Sequence, residues 1–198
     1  SNDVVFNGSN QVISGGYDTA RTGSTISGSL TLTLTSDGAY TNLDGLAFEG
    51  FDTIDSSATS ATLANFTNTG SLTKKGEGNV ALSQTQTLTT TTVEAGTLAF
   101  SNGAEFTGEV TVAEGAALSL AGGIRLATAI SSDGTVDFNN VRFTLSAQDF
   151  TENRFDILTG SGTSTGTLTR DNFTLSGINE PVRILGMGGG NVYVILGT

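Results

Sequence analysis

Three glycines at a fixed interval constrain this chain more than any other feature. Gly96, Gly115 and Gly134 are spaced 19 and 19 residues apart. They lie in three related runs: Thr92-Val93-Glu94-Ala95-Gly96-Thr97-Leu98-Ala99-Phe100, Thr111-Val112-Ala113-Glu114-Gly115-Ala116-Ala117-Leu118-Ser119-Leu120, and Ala129-Ile130-Ser131-Ser132-Asp133-Gly134-Thr135-Val136-Asp137-Phe138. In each run a glycine, preceded by small or acidic residues, parts a β-branched residue from an apolar-x-apolar pair. That is the composition of a tight turn between two strands, at a position that asks for positive φ. A sandwich or meander places turns every ~8–12 residues and has no reason to repeat side-chain identity. A parallel β-helix has one, because each coil stacks on the last and equivalent side chains form ladders. The expected inward ladders are Val93/Val112/Ile130, Leu98/Leu118/Val136 and Phe100/Leu120/Phe138. At roughly 19–22 residues per coil, the chain has room for about nine coils and a rod roughly 40–45 Å long.

The rest of the chain fits an ordered all-β protein. Gly, Ser and Thr make up 80 of 198 residues, a bias that elsewhere signals disorder. Here the apolar residues alternate instead, as in Leu30-Thr31-Leu32-Thr33-Leu34 and Val192-Tyr193-Val194-Ile195-Leu196, the period of half-buried strands. Residues 30–38 and 46–51 read as earlier coils, and 56–64 as a surface loop. Ser146-Ala147-Gln148-Asp149-Phe150 reads as a short helical turn opened by a serine cap, after which the glycine period is lost. Strands at 154–158 and 173–175 are expected on either side of a loose loop at 160–166. Val182-Arg183-Ile184-Leu185 and residues 192–196 flank Gly186-Met187-Gly188-Gly189-Gly190-Asn191 as a hairpin that closes one end. The chain therefore divides into β-helix coils at 1–145 and terminal coils with a capping hairpin at 146–198.

One segment resembles a known family. Gly70-Ser71-Leu72-Thr73-Lys74-Lys75-Gly76-Glu77-Gly78 runs through a Thr-rich spacer to Val93-Glu94-Ala95-Gly96-Thr97-Leu98. The Lys-x-Gly-x-Gly core and the late Val-x-x-Gly-Thr-Leu resemble the autotransporter-associated β-strand repeat of bacterial autotransporter passenger domains, over residues 70–100. The resemblance implies a right-handed, single-stranded parallel β-helix, exported across the outer membrane and secreted or displayed at the cell surface. It also implies that the repeat aids folding after export. The absence of cysteine agrees, since a periplasmic disulfide would obstruct threading through a narrow pore. No translocator β-barrel follows Gly197-Thr198, which leaves a trimmed passenger or another export route. The start, Ser1-Asn2-Asp3, lacks the basic and apolar regions of a signal peptide, and Ser1-Asn2 has the look of a tag scar.

Composition narrows the chemistry. With no His, no Cys and one Met, zinc, haem and iron–sulfur sites lack their usual ligands, and no Ser-His-Asp or Cys-His system can form. A net charge of −11 and only two lysines argue against nucleic acid as a partner. No run reaches the ~18–20 apolar residues of a membrane helix, and 7% aromatics without Trp cannot supply the girdles of a membrane barrel. No membrane insertion by this segment is expected.

Carboxylates remain as catalytic candidates. Asp52 and Asp55, three apart on a strand, would face opposite sides, and Asp133 and Asp137 are parted by the turn at Gly134. These read as turn and solubilising charges. Lys74-Lys75 with Glu77 reads as an exposed lysine pair in a turn rather than a ligand clamp. Asp37-Gly38 and Asp133-Gly134 lack the surrounding pattern of a calcium loop, and the sequons at Asn7, Asn65 and Asn172 are ordinary in a Thr-rich chain. No catalytic, cofactor-binding or metal-binding residue is assigned. The expectation is a non-enzymatic adhesin or scaffold whose partners are glycans, host surface proteins or copies of itself. The alternative is a polysaccharide-acting β-helix lyase or hydrolase, disfavoured by three Tyr, no Trp and scattered Arg.

Overall fold

The computed structural model describes residues 4–6, 11–15, 18–20, 25–34, 37–40, 47–57, 60–63 and 70–197. The strands are β1 (Val4–Phe6), β2 (Gln11–Gly15), β3 (Asp18–Ala20), β4 (Thr25–Leu34), β5 (Gly38–Tyr40), β6 (Ala47–Ser56) and β7 (Ser60–Leu63). Four coils follow: β8 (Leu72–Lys75), β9 (Asn79–Leu82) and β10 (Gln86–Leu88); β11 (Thr91–Val93), β12 (Thr97–Phe100) and β13 (Ala104–Phe106); β14 (Val110–Val112) and β15 (Ala117–Leu126); β16 (Ile130–Ser132) and β17 (Thr135–Ser146). The chain closes with β18 (Arg154–Thr159), β19 (Thr163–Gly166), β20 (Phe173–Ser176), β21 (Val182–Leu185) and β22 (Val192–Leu196).

These strands form a parallel β-helix. The first face stacks β4, β6, β8, β11, β14, β16 and β18 in parallel, and the second runs through β9, β12, β15 and β17 to β19. The third pairs β10 with β13, β13 with the end of β15, and the end of β17 with β20. In β15 and β17 the second and third faces join without a break. The chain turns that corner through a bulge after Ala121, where Asn140 at φ 47° is the extra residue. The solenoid is shorter than the nine coils expected. Seven parallel strands on the first face span about 29 Å at ~4.8 Å per step. Both ends of this face then change to antiparallel pairing, with β1–β3 at one end and β22 and β21 at the other. The expected C-terminal hairpin is present, and it extends the first face as two antiparallel strands. Its turn also rests on the coil beneath, because Ser164 accepts from the Gly188 amide and donates to the Gly189 carbonyl.

Inside, the alternation of each strand becomes rows along the axis. Leu98/Leu118/Val136 and Phe100/Leu120/Phe138 align as the spacing predicts, extended downward by Val80 and Leu82. The third expected row is wrong by two residues. Val93 and Val112 align with Ser132, while Ile130 belongs above Val110 in the row Leu72/Thr91/Val110/Ile130/Leu158. The turn between β14 and β15 has four residues and that between β16 and β17 has two. Matching the glycines therefore misaligns the preceding strands. A slip of two keeps the facing, and Ile130 is fully buried.

The third face adds aromatic contacts at Phe100–Phe106, edge to face with centroids 5.2 Å apart, and at Phe143–Phe173, stacked at 5.4 Å. Each buried Leu or Phe contributes about 1.5–3 kcal/mol. Outside, the first face carries one hydroxyl per coil in register: Thr31, Thr53, Thr73, Thr92, Thr111, Ser131 and Thr159. Thr suits an exposed strand position because its branched Cβ favours the extended backbone.

Two segments expected as loops are structured. Residues 60–63 form β7 with Ala61 and Leu63 buried, and 163–166 form β19, paired with the start of β17. The period lengthens here to 28 residues, Ile130 to Leu158 and Thr135 to Thr163, because an insertion follows β17. Its 3-10 turn at Ala147–Asp149 is the one expected after Ser146. Leu46, at the start of one expected coil, lies outside the described residues, as do Asn7 and Asn65.

The facing assignment predicts the effect of one charge placed at adjacent positions. Val112→Asp sets a carboxylate in the buried stack and should cost several kcal/mol. Thr111→Asp, exposed one residue earlier, should change stability by less than about 0.5 kcal/mol. Urea unfolding of both variants measures the difference.

Candidate functional site

Lys74 contradicts the expectation of an exposed lysine pair. Its row on the first face is Leu32/Ile54/Lys74/Val93/Val112, so the alternation that exposes Lys75 turns Lys74 inward, where it is 0% exposed. The stem packs as an aliphatic chain. The ammonium donates to the carbonyls of Lys75 at 2.8 Å, Gly76 at 2.7 Å and Ala95 at 3.2 Å. Two successive turns are thereby joined by one cation. Gly76 sits at φ 79°, and a Cβ there would lie 2.2 Å from the Ser56 carbonyl oxygen; at Gly96 a Cβ would lie 2.2 Å from that of Gly78. The Lys-x-Gly-x-Gly motif is thus a device for closing and stacking a corner. Lys75 does point outward, 4.0 Å from Glu94 of the next coil.

The aspartates singled out by spacing also join coils. Asp133 accepts from the Ser161 hydroxyl at 2.8 Å and its amide at 3.3 Å, and these bonds hold its carboxyl below the usual carboxylate range. Asp137 accepts from Thr165 at 2.6 Å and from Asn139. The two accept from different partners. Asp55 is exposed on β6, and Asp52 lies on the same strand. Asp37 accepts from the Ser60 amide at 2.9 Å. Asn172 of the third sequon donates to the Val141 carbonyl at 3.0 Å and accepts from the Thr169 amide at 2.8 Å, so its amide is part of the fold. Among the described residues, no cluster of three or more acidic side chains could hold a metal ion, and no helix is long and apolar enough to cross a membrane.

The insertion after β17 makes the concavity that spacing did not reveal. Asp149 accepts from the Ser146 amide at 2.8 Å and receives Arg125 at 3.3 Å, while Arg125 also donates to the Thr144 carbonyl at 2.8 Å. These bonds hold the 3-10 turn as an overhang above the corner that links the third face to the first. Beneath it is a cleft of about 480 Å³, lined by the buried Phe106 and Leu126 and by the exposed Glu105, Arg125, Ala127 and Gln148. A second stretch of about 340 Å³ continues past Thr128 and Ala129 to Arg154 and Asp156. Arg154 pairs with Asp156 at 2.8 Å and lies 3.6 Å over the Tyr193 ring. The sequence signals for this site are Ser146-x-x-Asp149 and the lost glycine period. The partners of Arg125 come from residues 19 and 24 positions away, which a reading of local spacing does not reach.

Lys74 also gives the chain a defined pH response. Burial pulls its ammonium down from 10.5 to about 8, against the opposing pull of the Asp55 and Glu77 carboxylates. Between those values the unfolded chain keeps a proton that the folded chain has released, so this group makes stability rise with pH. Lys74→Met should remove that rise, on the order of 1–3 kcal/mol. Urea titrations of both proteins at about pH 7.5 and about pH 10 measure it, and equal changes in both would assign the response elsewhere.

No protein-family model, curated protein or solved structure matches the chain, so the passenger-like reading rests on residues 70–100 and on the fold they build.

Proposed function

We propose that this chain is a non-enzymatic β-helix, secreted or displayed at a bacterial surface, that serves as an adhesive or structural scaffold. The observation that carries the reading is the employment of its acidic side chains. Asp133, Asp137 and Asp149 each accept hydrogen bonds that hold a coil or a turn in place. Hydrolysis of a glycosidic bond needs two carboxylates facing one another across the substrate, and these three face serine, threonine and arginine instead. The passenger-like segment supports the same reading, since its lysine and glycines close and stack corners. A solenoid built this way offers long, pre-ordered polar faces, and extended concave or flat surfaces are what solenoids use for recognition. The assignment to export and surface display comes from the family resemblance and the cysteine-free, acidic composition.

The test is a glycan array run beside a polysaccharide degradation assay on the same preparation. Binding without release of reducing ends or unsaturated products is the expected result. Product release that depends on the protein and disappears in a Glu105→Gln variant would replace the scaffold with an enzyme.

A further inference from the structure

We propose that the cleft beneath residues 147–149 is a binding site for an uncharged oligosaccharide; this rests on the reading of the chain as a surface-binding protein and names the site and ligand class. Two of its lining side chains have no assigned work in the fold. Glu105 and Gln148 are both exposed and border the same cleft, and neither side chain makes a hydrogen bond or ion pair with another described residue. Arg125 borders the same cleft, its terminal nitrogens engaged by Asp149 and Thr144 while Nε is not. The cleft therefore offers a carboxylate that only accepts, an amide that both donates and accepts, and a guanidinium N–H that donates. Sugar hydroxyls donate and accept at once, so this mixture matches a polyol. A volume of about 480 Å³ lies within the range of small-ligand clefts.

Charge and backbone bonding narrow the ligand. Two carboxylates, Glu105 and Asp149, face one guanidinium in a chain of net charge −11, which disfavours a uronate or another acidic sugar. An extended peptide would look for a free strand edge. Here the main chain lining the cleft is occupied, with the Thr107 amide donating to the Leu88 carbonyl and the Ala127 amide to the Phe106 carbonyl. The overhang is fixed by the Asp149 bonds to Ser146 and Arg125, so the cleft is formed before the ligand arrives and little ordering is left to binding.

The experiment follows amide and side-chain NMR signals of the intact, isotopically labelled chain. The probes are cellohexaose, mannohexaose and xylohexaose, with trigalacturonate and a lysine-rich peptide as charged comparators. At least one neutral hexasaccharide should shift the Gln148 side-chain signal together with backbone signals of residues 105–107, 125–127 and 148–151. Its affinity should fall at least tenfold in the double variant Glu105→Gln, Gln148→Ala, whose thermal melting should match the parent. Absence of cleft shifts with every neutral sugar would overturn the proposal, as would shifts with only a charged comparator or binding that survives the double variant. Glycan binding mapped elsewhere on the rod would remove the cleft and leave the surface-binding reading intact. Cleft shifts accompanied by breakdown of the sugar would keep the site and remove the non-enzymatic reading.

Discussion

The close approach of successive main chains at the corners governs this structure. Where the first face turns into the second, each turn lies directly over the turn below. A Cβ at Gly76, Gly96, Gly134, Gly160 or Gly162 would stand 2.0–2.2 Å from a carbonyl oxygen of the preceding coil. No side chain fits there, so glycine is required by space, and at Gly76, Gly96 and Gly160 by positive φ as well. The hairpin turn obeys the same rule, since a Cβ at Gly190 would lie 2.4 Å from the Gly160 carbonyl oxygen. Once the corners stack, the alternation of each strand delivers its apolar residues to the same axial rows.

That constraint explains why polar groups occur where they do. The carbonyls of a tightly stacked turn need donors, and Lys74 supplies one from within the core to three of them. Ser132 does related work in the same row, its hydroxyl accepting from the Gly134 amide at 3.2 Å. On the outside, Asp133–Ser161 and Asp137–Thr165 tie coils 28 residues apart. These contacts fix how the coils sit and are individually modest. The insertion at 147–153 falls at a different corner, where the chain passes from the third face back to the first. The coil lengthens there above the close stack of Gly108 on the Thr89 carbonyl, and the cleft is the result. Function placed on an insertion carried by a rigid repeat follows the general habit of folds, which host sites on their loops.

Much of this was legible in the sequence, because a solenoid writes its geometry as a period. The glycine interval and the alternating runs lead to the right fold, two correct ladders, the short turn after Ser146 and the terminal hairpin. Lys74 departs from expectation because charge normally predicts exposure, and only the strand register places it over Ile54 and under Val93. Ile130 falls one row off the expected ladder because turns of unequal length can conserve a glycine interval while strands shift. Gly115 shows the same ambiguity from the other side. It shares the interval and has φ 82°, yet nothing lies within 4 Å of where its Cβ would be. The cleft was not legible because its polar groups come from three coils, and nothing local marks Glu105, Arg125 and Gln148 as neighbours.

Gly96 and Gly115 therefore make a matched pair for the central claim that close stacking at the corner holds the solenoid together. Both have positive φ, 63° and 82°, so alanine imposes a similar backbone penalty of about 1–2 kcal/mol at each. Only at Gly96 does the added methyl meet the coil below. Equilibrium urea unfolding of Gly96→Ala and Gly115→Ala separates the two effects. The account predicts that Gly96→Ala loses at least about 2 kcal/mol more than Gly115→Ala, in line with the cost of overpacking. Equal losses would show that these glycines serve turn conformation alone and that stacking contact is not what holds the coils together.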